Sequence, residues 1–268
     1  MMRKYCRALS IAGSDPSGGA GLQADLKTFS ALGCYGMTAI VAVVDENTVG
    51  VTGVHPIPPE FVAGQIRSCL DDIGADAIKI GMLHSSELIL TVKRTLERYN
   101  VRNVVLDPVM VATSGDPLLQ NEAITTLRDE LVPMARVITP NIPEAEILLG
   151  HKVTDFGDAA RELSQNRKTS VMLKAGHIEK GDTLTDVFYN AETDVVTELD
   201  MPRVVTRNTH GTGCTLSSAI AAFLARGYGL DEAVRSAREY ISAAIAAGAE
   251  YSIGHGHGPV HHFHGWWN

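Results

Sequence analysis

The sequence has no run of basic residues, no Cys-x-x-Cys pair, and no apolar stretch near the roughly 20 residues that cross a bilayer. Each absence removes a class of function. Lys and Arg total 23 against 31 Asp and Glu, a formal charge of −8, so neither nucleic acid nor an anionic membrane is an expected partner. An anionic ligand would have to be held by a local site, because the global field repels it. The four cysteines (Cys6, Cys34, Cys69 and Cys214) lie far apart and read as reduced thiols of a cytoplasmic protein, not as a disulfide framework. Arg3, Lys4 and Arg7 are followed by no apolar core, so no secretory signal is expected. The pattern G-x-x-x-x-G-K-[ST] is missing as well, which excludes a P-loop ATPase. What remains is 268 residues with 45% hydrophobic and 20% charged side chains, ordinary for a globular protein.

Short apolar runs alternate with longer amphipathic ones. Strands are predicted over 8–12, 37–44, 77–80, 103–106, 135–139 and 170–174, and helices over 22–32, 61–73, 86–99, 121–130 and 155–165. Segments 186–189 and 195–199 read as two antiparallel strands, 181–185 as a flexible loop, and 214–226 and 231–250 as two Ala-rich helices. This alternation implies one three-layer α/β/α domain over 1–268, with a mainly parallel central sheet and helices on both faces. Ligands of such sheets sit beyond the carboxyl ends of the strands, and the unusual residues fall there.

The first such segment runs from Gly13 to Asp25. Gly19-Ala20-Gly21-Leu22-Gln23-Ala24 fits the dinucleotide fingerprint, but Gly13 and Gly18 are five positions apart and the true motif turns tightly from its strand. Either this is a flexible loop with a glycine-rich helix entry, or its glycines let backbone N–H groups and Asp25 approach a small ligand. In the second segment, Thr209-His210-Gly211-Thr212-Gly213-Cys214 leads into a long helix. Gly211, Thr212 and Gly213 would form an anion cradle of N–H groups backed by the helix dipole, and Cys214 in the first turn is expected to be more acidic than a free thiol. A helix cap with a buried cysteine is the plain alternative. Asn141 and Glu144, three apart after a strand, suit either a capping box or the water shell of Mg²⁺. Lys174 ends a strand, as a solvated charge or as a partner for an ATP phosphate, and Asp107 offers a carboxylate that would assist a metal. Five histidines between His255 and His264 suggest a metal site, yet the Gly and Pro around them favour a floppy tail or a docked strand.

Taken together, these segments closely resemble the bacterial hydroxymethylpyrimidine/phosphomethylpyrimidine kinases of thiamine biosynthesis, in the ribokinase-like superfamily. The likeness runs through Ala12 to Thr28, Lys79-Ile80-Gly81-Met82-Leu83, Asp107-Pro108-Val109-Met110, Thr139 to Ala145, Asn208 to Thr215, and the tail from Gly254 to His264. The resemblance explains the tail histidines without a metal. It implies ATP-dependent phosphorylation of 4-amino-5-hydroxymethyl-2-methylpyrimidine, a small heteroaromatic alcohol, and then of its monophosphate at the same site, by a homodimer. Cys214 would help deprotonate the attacking oxygen beside the Gly211–Gly213 anion hole. Asn141 and Glu144 would hold Mg²⁺ and its waters. Lys174 would meet the ATP phosphates, with Thr209 also on the nucleotide side. Asp25 would face the substrate hydroxyl, and Gly13 and Met82 the ring.

Two departures bear on specificity. The family usually has an Ala-Gln-Asn-Thr stretch where this chain has Asp45-Glu46-Asn47-Thr48. A Gln amide offers one donor and one acceptor, whereas an ionised Glu46 only accepts. Glu46 would then read the ring through a protonated ring nitrogen, or stay protonated itself. Related pyridoxal kinases pair the anion-hole cysteine with a second one in a lid segment, and here that stretch, Val111-Ala112-Thr113-Ser114-Gly115, has none. Pyridoxal kinase and a non-catalytic pyrimidine-binding sensor are the alternative readings.

Overall fold

The computed structural model describes residues 4–110, 121–165, 168–174 and 181–267. In chain order the elements are β1 (Cys6–Ala12), α1 (Gly21–Ala31), β2 (Cys34–Ile40), β3 (Ala42–Glu46), β4 (Val51–Pro56), α2 (Pro59–Asp72), β5 (Ala77–Ile80), α3 (Ser86–Leu96) and β6 (Val104–Leu106). There follow α4 (Asn121–Thr126), β7 (Val137–Ile138), α5 (Ile142–Leu149), α6 (Phe156–Leu163), β8 (Ser170–Leu173), β9 (Thr183–Asn190), β10 (Val195–Pro202), α7 (Thr212–Ala225) and α8 (Leu230–Gly248).

Eight strands form one sheet in the order β10-β9-β8-β7-β6-β5-β1-β2. The pairs from β2 to β8 are parallel, and β9 and β10 add an antiparallel edge. Alternating side chains split the core in two. Leu9, Ile11, Ile78, Ile80 and Leu106 pack toward Ile66 of α2, Val92 of α3 and Leu148 of α5, whereas Ala8, Ala77, Val105 and Met172 pack toward α7 and α8. Every residue of α7 from Thr215 to Ala225 is buried, including the continuous apolar run Ala219–Ala225. The expected three-layer α/β/α architecture with a mainly parallel central sheet is what forms.

The sheet order reverses between β1 and β5. The chain passes from β1 to β2 on one side and then crosses to β5, β6, β7 and β8 on the other. A crevice therefore opens beyond the carboxyl ends of β1 and β5, where Gly13 and Met82 lie.

Several elements differ from the sequence-based expectation. The apolar run 37–44 is two strands. At Val41 the chain leaves the main sheet, with Val41 N donating to Ala12 O and Ser14 N to Ala42 O, and β3 then pairs with β4 in a separate two-stranded sheet. A β-branched run carries no mark of a change of sheet. α5 was not among the expected helices; it follows Pro140, and its Pro143 stands in the first turn, where the missing N–H costs nothing. The helix expected over 121–130 ends at Thr126 and widens into a π turn over Leu127–Leu131. β9 begins at Thr183, inside the expected loop. Ser85 caps α3, its hydroxyl accepting from Leu88 N at 3.3 Å.

Candidate active site

The crevice is a cavity of about 710 Å³ whose wall includes Gly13, Glu46, Met82, Asp107, Asn141, Glu144, Lys174, Thr209 and the Gly211–Cys214 turn. Of the residues selected from the sequence, all but Asp25 line it.

The glycine-rich opening is organised by Asp15. Its buried carboxylate accepts from the backbone N–H of Ser17 at 2.8 Å, Gly19 at 3.0 Å and Ala20 at 2.6 Å, and from His210 Nε2 at 2.8 Å. Burial would push its pKa up, but these donors overcome that and hold it well below the usual carboxylate range. Gly211, at φ +75°, closes the loop from the other side, and a Cβ there would run into Gly19 O. The two loops therefore meet backbone to backbone, which only glycine permits.

Asp25 requires a correction. It is fully buried, and its oxygens are taken by Lys79 Nζ at 2.9 and 3.0 Å, Ser10 Oγ at 2.5 Å and Ser218 Oγ at 2.6 Å. A carboxylate so occupied cannot face a substrate hydroxyl. Its partner Lys79 reaches the cavity floor instead. Burial pulls the Lys79 pKa down, but the charge of Asp25 outweighs it, and the ammonium stays charged. The sequence signal was a lysine inside an otherwise apolar strand, where an unpaired charge is not tolerated.

Cys214 requires another. α7 begins at Thr212 behind a Gly211 cap that has no side chain to offer, and Gly211 to Cys214 line the cavity. The dipole was expected to make the thiol more acidic. Instead, burial pushes it up to about 11; Lys79 and the Gly21 N–H pull it down, while Asp25 and Asp107 raise it further. At neutral pH Cys214 is a thiol, not a thiolate.

Opposite the turn, Lys174 Nζ lies 3.0 Å from Asp107 Oδ1 and 3.9 Å from Glu144 Oε2. Thr139 Oγ1 donates to Asp107 at 2.9 Å. Asn141 and Glu144 form the capping box that was the plainer alternative. Asn141 Oδ1 accepts from Glu144 N at 2.9 Å, and Glu144 Oε2 accepts from Asn141 N at 2.8 Å. Burial pushes Glu144 up to about 7, with Lys174 pulling it down and Asp107 raising it. The cradle and this cluster are in contact. A Cβ on Gly213 would stand 3.3 Å from Lys174 Nζ and 3.5 Å from Asp107 Oδ2.

Sequence reasoning gave His210 no role. Besides binding Asp15, its Nε2 lies 3.9 Å from Glu46 Oε1. The tail is docked: His210 N donates to Gly258 O, and buried His262 meets Thr215 Oγ1 at 3.0 Å. Burial pulls His262 down to about 3, so it is neutral. The stretch Val111-Ala112-Thr113-Ser114-Gly115 lies outside the described residues.

An acidic protein thus gathers the Lys174 ammonium and a turn of backbone donors at one end of a cavity, above the buried Lys79–Asp25 pair. Such an arrangement can hold a polyanion and neutralise charge that builds up on it. The family model for phosphomethylpyrimidine kinase matches residues 15–261. The chain is 50% identical to a hydroxymethylpyrimidine/phosphomethylpyrimidine kinase of Rhizobium meliloti, over 97% of this chain and 98% of that one. It is 47% identical to the Escherichia coli protein of the same name, over 98% and 100%. Among solved structures, the ADP complex of Bacillus subtilis pyridoxal kinase superposes with a TM-score of 0.88 at 38% identity, covering 99% of this chain and 100% of that one. A phosphomethylpyrimidine kinase from Clostridium difficile gives 0.78 at 40% identity, covering 89% and 99%.

Proposed function

The chain belongs to the phosphomethylpyrimidine kinase family, and from that premise we propose that its cavity phosphorylates hydroxymethylpyrimidine and then the monophosphate, with ATP as phosphoryl donor. The observation that carries this reading is the meeting of the Gly211–Gly213 turn with Lys174 and Asp107 inside a cavity large enough for a small ring and phosphates.

The ring lies against Met82 and Glu46, with its hydroxymethyl group toward Cys214. The alcohol oxygen attacks the terminal phosphorus of ATP, the bond from phosphorus to the ADP oxygen breaks, and the hydroxyl proton passes to an oxygen of the transferred phosphoryl group. Phosphoryl transfer is governed by positioning and charge stabilisation. Lys174 and the first-turn N–H groups take up the charge on the transferring oxygens. Cys214, protonated at neutral pH, orients the hydroxyl and is a weak base at most. In the second round a phosphate oxygen of the monophosphate replaces the alcohol as nucleophile.

Glu144 and Asn141 fit Mg²⁺ through water molecules. Mg²⁺ keeps much of its hydration shell and takes one or two carboxylates together with substrate phosphates. Glu144 accepts from the backbone N–H groups of Asn141 and Met110 and still borders the cavity, and Asp107 lies nearby across Lys174. When bound, the ion would neutralise the nucleotide phosphates.

We further read the whole chain as one cytoplasmic kinase domain that assembles as a homodimer. Exposed Val43, paired with His55 on one face of the β3–β4 sheet, supports a partner there, and no helix among the described residues is long and apolar enough to cross a membrane. The likeness to pyridoxal kinase structures favours a side activity on pyridoxal. Coupled ATP consumption with Mg²⁺ and each of hydroxymethylpyrimidine, its monophosphate and pyridoxal tests the reading. Turnover of both pyrimidines well above pyridoxal is expected. Turnover of pyridoxal alone would contradict it, and no ATP use with any of the three would leave only a binding protein.

A further inference from the structure

Three buried hydroxyl residues, Thr215, Ser217 and Ser218, stand near the start of α7, ahead of its apolar run. Each reaches a different part of the chain. Ser218 Oγ donates to Asp25 Oδ1 at 2.6 Å, and Ser217 Oγ lies 3.4 Å from Asp107 Oδ2. These two tie the helix to the two lysine–aspartate pairs of the site. Thr215 Oγ1 instead lies 3.0 Å from Nε2 of His262, in the C-terminal tail. Thr215 also has a particular place in the helix. Its main-chain N–H donates to Gly211 O at 2.9 Å, which closes the first turn of α7 around Thr212, Gly213 and Cys214. Gly211 to Cys214 line the cavity, and Thr215, fully buried, stands behind them. Fixing the Thr215 side chain therefore limits how far that turn can rotate or open.

The tail is seated without help from the His262 ring. His261 N donates to Ala244 O at 2.9 Å, Tyr240 Oη donates to His262 O at 2.6 Å, and His210 N donates to Gly258 O at 3.0 Å. A Cβ on Gly248 of α8 would stand 3.0 Å from His261 N, so tail and helix meet backbone to backbone. The ring itself is buried and neutral. Burial pulls it down, and the charges of Lys27, His261 and His264 act the same way. A neutral imidazole taken out of water recovers from one hydrogen bond about what it lost, so the pair adds little net stability. What it adds is direction, because the bond is good only over a narrow range of distance and angle.

We propose that His262 is a positioning residue for phosphoryl transfer: through Thr215 it holds the first turn of α7, and so the Gly211–Gly213 cradle, in the geometry that the transferring group requires. This rests on the kinase reading given above. Ser217 and Ser218 anchor the turn to the open and the sealed pair, and His262 anchors it from the side away from the cavity. The C-terminal tail thus serves the reaction although none of residues 254–264 lines the cavity.

The test removes the imidazole and keeps its seat, in the full chain. His262→Leu is close in size and leaves the backbone bonds of the tail, whereas His262→Gln returns a polar atom near the place of Nε2. With hydroxymethylpyrimidine, ATP and Mg²⁺, His262→Leu is expected to lower kcat by about 10–100-fold with KM for the pyrimidine little changed, as a small misplacement of reacting groups does. His262→Gln should recover most of that loss. Thr215→Val deletes the same hydrogen bond from the other side and should reproduce it, and the double variant should lose no more than either alone. Amide hydrogen exchange is a readout independent of turnover. In His262→Leu it should quicken in peptides spanning 212–218 and stay unchanged over the rest of α7. Unchanged kcat in folded His262→Leu, or losses that multiply in the double variant, overturns the proposal. Equal losses in the Leu and Gln variants would point to packing alone and overturn it too. If His262→Leu does not fold by circular dichroism, Thr215→Val decides, and a normal kcat there contradicts the proposal. An unaltered protein that ignores hydroxymethylpyrimidine would refute the kinase reading instead, and hydrogen exchange would still judge the hold on the turn.

Discussion

Two lysine–aspartate pairs lie at the carboxyl end of this sheet, and they differ in one respect. Lys79–Asp25 is sealed, with both side chains 0% exposed, whereas Lys174–Asp107 opens to the cavity with Lys174 18% exposed. The sealed pair is saturated by Ser10 and Ser218 and joins β5 to α1 and, through Ser218, to α7. It fixes the floor on which Cys214 sits and has no oxygen to lend to chemistry. The open pair touches Gly213 and Glu144 and keeps a face toward whatever enters. The same two residue types therefore serve as scaffold in one place and as machinery in the other, and solvent access decides which.

Breaking the sealed pair should have the largest effect on stability. Lys79→Met strands the Asp25 charge in the core and is expected to cost about 3–5 kcal/mol in chemical denaturation, while Asp25→Asn added to it restores much of the loss. Breaking the open pair should act on turnover first. Lys174→Met is expected to lower kcat by about 10²–10³, with a smaller loss of stability than Lys79→Met, because Asp107 keeps Thr139 and the cavity. Equal stability losses in the two variants would erase the distinction.

Cys214→Ala and Cys214→Asp sharpen it further. A thiol held near 11 is a poor base, so alanine should cost less than the roughly 10²–10⁴ typical of losing a general base. A larger loss in alanine that aspartate recovers would show that Cys214 accepts the proton.

The smallest effect concerns Glu144, raised to about 7 in the metal-free protein. The folded state holds this proton more tightly than the unfolded chain does. Its contribution to stability is therefore full below the unfolded carboxyl range and is lost as pH rises through about 7. Glu144→Gln should flatten that part of the stability profile, measured by thermal melting from pH 5 to 8 without divalent ions.

The alternation of strands and helices was legible because buried parallel strands write themselves as apolar runs. The Gly-Thr-Gly turn was legible because its glycines serve a close approach. Asp25 was misplaced because spacing puts it on the right helix without saying that Lys79 would claim it. Cys214 was misjudged for a related reason. Its position on the helix is local, but the burial that overrides the dipole comes from distant segments, those of Gly21, Lys79 and Asp107, closing around it. His210 escaped notice because its partners, Asp15 and Glu46, lie more than 150 residues away in the chain. Contacts of that range leave no local pattern. Val41, where the chain changes sheets, is hidden likewise in a run that reads as one strand.

The most direct test of one cavity performing two transfers is ³¹P NMR of the purified chain with hydroxymethylpyrimidine, excess ATP and Mg²⁺. A monophosphate ester signal should rise and then give way to a diphosphate, with ADP formed in step. Accumulation of the monophosphate as the end product, or no new phosphorus signal at all, would contradict the account.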